Sequence, residues 1–93
     1  MSRSVAMIAL TNAQIRNAAE AVKSEKLRRE LLDIITGAEL NALDNTNHLE
    51  SLTHPESAAL FEESFFRTLE LLVTERTVSK AAVAWFARRG ITG

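Results

Sequence analysis

The chain has 93 residues, no cysteine, one proline, three glycines and a net charge of −1. The missing cysteines exclude disulfide staples, thiolate nucleophiles and cysteine-ligated metal sites, and the few turn residues exclude a well-punctuated sheet. A hydrophobic fraction of 46% against 25% charged residues excludes wholesale disorder, and no apolar run reaches the ~20 residues of a membrane span.

An alanine-rich, breaker-poor chain of this length predicts a single all-α domain over residues 1–93, a small bundle of about four helices completed by dimerisation. Residues 1–10 are read as a flexible or apolar N-terminal arm. Val5 to Leu10 is too short for a secretory leader and has no clean cleavage pattern behind it, so the chain is read as cytoplasmic. The first helix is expected over Thr11–Lys23. Thr11 and Gln14 have capping-box spacing, and Ile8, Ile15 and Val22 recur every seven residues beside Ala18 and Ala19. The second helix is expected from Ser24 or Glu25 to Asp44, nearly continuous with the first. Leu27, Leu31, Ile34, Ile35, Ala38 and Ala42 make its apolar stripe, which Leu32, Leu40 and Leu43 widen. Gly37 inside it marks a kink or a close helix approach.

Residues 44–54 read as a loop, with a short turn near residue 50 that points Leu49 and Leu52 inward. The third helix is expected to start at Thr53, ahead of Pro55 in the first turn and Glu56 at the reciprocal capping position. It runs to Glu75 or Arg76 along a seam of Phe61, Phe65, Leu69 and Leu72, extended by Ala58, Phe66 and Val73. The fourth helix covers Ser79–Arg89 with Val78, Ala82, Trp85 and Phe86 on its apolar side. Gly90 fits a left-handed terminator, with Ile91 making the accompanying apolar contact.

Charge is segregated. Residues 44–75 carry Arg67 alone against Asp44, Glu50, Glu56, Glu62, Glu63, Glu70 and Glu75, whereas residues 76–93 carry Arg76, Lys80, Arg88 and Arg89 with no acid. Such segments read first as solvated helix faces, and second as steering surfaces for a partner.

The residue types offer little chemistry. His48 and His54 are the only histidines, and their six-residue separation beside Asp44, Glu50 and Glu56 matches no metal-ligand pattern. Glu62 and Glu63 are adjacent, so on a helix they point about 100° apart and make no paired site. Neither a phosphate-binding glycine loop nor a nucleophile elbow is present. The chain is therefore expected to be non-enzymatic, with no cofactor and no metal.

Val78, Ser79, Val83, Trp85, Arg88 and Arg89 match in type the recognition helix of the helix-turn-helix family, which this segment resembles over about 18 residues. The resemblance implies a degenerate DNA-binding unit at about 66–90 and a transcriptional regulator. Thr77 stands at the turn position where that family has Gly, and Ala81, Ala84 and Ala87 occupy positions that would read base edges. Nucleic acid is therefore the alternative partner. The leading expectation is a small dimeric regulator, inhibitor or adaptor that binds protein, itself included, through apolar helix faces. Phe65, Leu69, Trp85 and Phe86 are its expected anchors, with Arg88 and Arg89 at the rim.

Overall fold

The computed structural model describes residues 10–46, 54–75 and 77–92. They form four helices, α1 (Asn12–Glu20), α2 (Glu25–Thr46), α3 (His54–Val73) and α4 (Lys80–Ala87), and no strand among the described residues. The chain is all-α, as its composition requires.

Each helix end has a local cause. The Thr11 hydroxyl accepts the Gln14 amide, and the Gln14 side chain accepts the Thr11 amide, a complete capping box that starts α1. The first helix ends at Glu20, earlier than Lys23, and α1 is not continuous with α2. Ser24 breaks the path by accepting the Leu27 amide on its hydroxyl, and the Arg28 guanidinium holds the Val22 carbonyl at 2.7 Å. α3 stops at Val73, two residues short of Glu75, where Thr74 turns back to donate its hydroxyl to the Leu71 carbonyl. At the end of α4, Gly90 takes a φ of 81°. The Gly90 amide reaches the Ala87 carbonyl and the Ile91 amide reaches the Phe86 carbonyl. That is the Schellman pattern, and Ile91 behind it is fully buried. Thr53, His48 and the turn expected near residue 50 lie outside the described residues, as do residues 1–9 of the expected arm; Leu10 packs half-buried on the core.

α2 and α3 form a long antiparallel hairpin. Asn45 meets Ser64, Asn41 meets Thr68, and Gly37 faces Leu72. A buried cluster runs through all four helices: Ile15 and Ala19 from α1, Leu31, Ile35, Ala38 and Ala42 from α2, Phe65, Phe66, Leu69 and Val73 from α3, and Ala82, Trp85 and Phe86 from α4. Buried alanines on three helices let neighbouring backbones come close, and the rings fill the remaining space at crystal-like density. Phe65 and Phe66 meet edge to face at 4.9 Å, and Trp85 and Phe86 at 5.1 Å. Phe61 and Leu72, at either end of the expected seam, are half-buried, and Ala58 is exposed. α2 continues without interruption through Gly37, which is exposed; a methyl group there would meet only Leu72 Cδ1, at an ordinary 3.7 Å.

Candidate functional site

The acidic residues of the two long helices are not simply a solvated face. Several of them hold the N-termini of the two short helices, where unpaired amides and the helix dipole favour negative charge. On α3, Glu62 is half-buried and accepts the backbone amide of Asn12 at 2.9 Å. On α2, Glu39 accepts the Asn12 side-chain amide at 2.7 Å and both Nε and Nη2 of Arg16, and Arg16 also donates to the Thr36 hydroxyl. At the other end, Glu30 accepts the amide and the hydroxyl of Ser79, the residue that caps α4 through the Ala82 amide. These contacts between helices lie 20 to 50 residues apart in sequence, so no local spacing could have found them. Glu62 thus has a positioning role that its adjacency to Glu63 concealed. Glu63 itself is exposed and pairs with Arg67 one turn on, at 2.9 Å.

The Arg16 hydrogen bonds pull the Glu39 carboxyl below its usual 4.5, against the opposing pull of burial, and the Asn12 amide adds to the lowering. A carboxylate whose folded-state pKa is depressed contributes stability that is complete above its unfolded value and is lost as pH falls through the folded value. Glu39→Gln is therefore expected to lower stability by about 1 kcal/mol at pH 7 and to flatten the loss of stability below pH ~4.5. Urea midpoints of the two proteins between pH 7 and 3 measure this. Parallel pH profiles would show that the charge of Glu39 contributes nothing.

The residues expected to anchor a partner divide. Phe65, Leu69, Trp85 and Phe86 all lie in the chain's own core and present almost no surface to anything outside. Arg89 is folded back onto its own helix. Its guanidinium sits 3.7 Å above the Trp85 ring and donates to the Trp85 carbonyl, and its desolvation there, with Arg88 nearby, lowers its pKa. Arg88 is exposed. The outward side of α4 consists of Lys80, Ala81, Val83, Ala84, Ala87 and Arg88, an apolar strip with a cation at each end and no amide side chain to read a base edge.

Beyond Val83 on that strip, the exposed large apolar side chains among the described residues are on the hairpin. Leu71 is 66% exposed and Leu40 61% exposed, and Leu43 and Leu60 are also exposed. Among the described residues, grooves follow the α2–α3 seam. One, of about 370 Å³, is lined by Leu60, Ser64, Arg67 and Leu71 of α3 with Asn41 and Asn45 of α2. Its polar floor is cross-bonded: Asn45 Nδ2 donates to Ser64 Oγ and Asn41 Oδ1, and the Thr68 hydroxyl donates to Asn41 Oδ1. Another, of about 510 Å³, has Ile34, Leu72 and Val78 for its apolar part and Glu30, Asp33 and Glu75 around it. Among the described residues, no group of three or more His, Asp or Glu is placed to hold a metal ion, and no helix is long and apolar enough to cross a membrane.

No protein family, curated protein or solved structure matches the chain.

Proposed function

We propose that the chain is a non-enzymatic protein-interaction module, a small regulator, inhibitor or adaptor of the cytoplasm, and that it works through the outward side of the α2–α3 hairpin. The observation that carries this reading is the exposure of Leu71 and Leu60 at the border of one groove between α2 and α3. A few exposed leucines are ordinary on any surface. Here Leu60 and Leu71 border one groove, and the aromatic residues that would otherwise attract a partner are buried. Apolar residues bordering a groove whose Asn41, Asn45, Ser64 and Thr68 side chains are already bonded to one another suit a helix face. The absence of cysteine suits a reducing compartment.

The test is a photo-crosslinking residue placed at position 71 in the source cell, with position 17 on α1 as the control. Discrete protein adducts from position 71 and none from position 17 are the expected result. Equal labelling from both positions, or none from either, would overturn the reading.

A further inference from the structure

The occupant of this face follows from the pattern along α3. Leu60, Ser64, Arg67 and Leu71 recur at spacings of four, three and four, which places them on one ridge of the helix. Phe65, Leu69 and Val73 are buried on the opposite side. The ridge is flanked by Glu63, the partner of Arg67 in an exposed i,i+4 ion pair. Arg67 is the single cation of residues 44–75, and it sits near the middle of this ridge.

This order is self-complementary when two copies are laid antiparallel. With a two-fold axis passing between Phe65 and Phe66, Leu60 of one helix lies opposite Leu71 of the other, and Leu71 opposite Leu60. In the same register each Arg67 falls beside the Glu63 of the second copy. Both leucine contacts and both charge contacts form at once, and the same patch is used on both chains. That closes the assembly at two copies instead of propagating it. The parallel alignment has no such match, since it sets Arg67 against Arg67 and Glu63 against Glu63. The groove beside the ridge, about 370 Å³ and bordered by Leu60 and Leu71, offers each incoming leucine a recess.

We infer that the α3 ridge Leu60–Ser64–Arg67–Leu71 is the docking surface for a second copy of this chain, paired antiparallel about a two-fold axis near residues 65–66. The inference rests on the interaction reading above and names its partner. A contact built around one helix from each chain stands at the small end of specific interfaces, so association is sought over a wide concentration range.

Molar mass by light scattering, followed over about 1–500 µM, tests this. The expected result is a monomer–dimer equilibrium whose Kd rises at least tenfold in Leu71→Ser and in Arg67→Glu. Because Leu71 and Arg67 are exposed, helix content by circular dichroism is expected to stay unchanged. The charge order supplies a second arm. A chain carrying Arg67→Glu and a chain carrying Glu63→Arg should each associate weakly alone and form a heterodimer when mixed. A chain that stays monomeric to 500 µM overturns the inference, as does a dimer unaffected by Leu71→Ser or a charge-swapped pair that does not recover. A monomer that still yields adducts to a different protein from position 71 overturns self-docking while leaving the interaction reading intact.

Discussion

Phe65→Ala is expected to cost about 3–5 kcal/mol, the usual range for deleting a large buried ring. For a chain of 93 residues, whose whole stability is about 5–14 kcal/mol, that is about a fifth of the total or more. Phe65 is fully buried in the cluster shared by the four helices. It also meets Phe66 edge to face at 4.9 Å, so truncation removes both its transfer free energy and an aromatic pair. The buried cluster to which it belongs is rich in alanines (Ala19, Ala38, Ala42 and Ala82), which have no length with which to reach into a cavity. Urea unfolding followed by circular dichroism measures the effect, and Phe65→Leu should recover more than half of it. A loss under about 1 kcal/mol for Phe65→Ala would mean that the ring is not in the core. The same experiment separates two roles. An anchor for a partner would lose binding with stability intact, whereas a core ring loses stability first.

What the sequence made legible is the part of the fold governed by short-range rules. The Thr11–Gln14 capping box, the Gly90–Ile91 terminator and the apolar spacing of α2 and α3 each follow from residues within a turn or two of one another, and each is present. The errors are equally specific. Gly37 suggests a kink or a close helix approach; α2 runs through it as one helix, and a methyl group there would meet only the Leu72 side chain, at an ordinary distance. Ala58 sits at a seam spacing yet is exposed. Less was legible of the candidate site. Periodicity says that Phe65, Leu69, Trp85 and Phe86 share apolar faces, but not whether a face meets its own chain or another. Only the three-dimensional packing decides that these four are inside and that Leu71 and Leu40 are outside. The reach of Glu62 and Glu39 to Asn12, and of Glu30 to Ser79, is a long-range property that no window along the chain contains. The acidic middle segment read as a solvated face and a steering surface; part of its excess instead fixes α1 at its N-terminus.

Trp85→Ala is expected to cost a similar 3–5 kcal/mol, with Trp85→Phe retaining most of it. Trp85 is buried among the other core side chains, packs edge to face on Phe86 at 5.1 Å, and lies beneath the Arg89 guanidinium. Its removal therefore leaves Phe86 short of a neighbour and strips Arg89 of the ring that it covers. The bond from Arg89 to the backbone carbonyl of residue 85 survives the change. Arg89→Ala alone should cost about 0.5–1 kcal/mol, the range for a partly exposed cation over an indole. The two substitutions share one contact and are not additive: once the indole is gone, removing Arg89 should cost clearly less than it does in the parent chain. Full additivity would show that the stacking seen at 3.7 Å contributes nothing to stability. Trp85 is the chain's single tryptophan, so its fluorescence follows unfolding directly in the parent and in Arg89→Ala, and circular dichroism serves the variants that lack it. A Trp85→Ala chain that stayed as stable as the parent and lost only self-association would return Trp85 to the surface. It would then displace the α3 ridge as the place where the second copy binds.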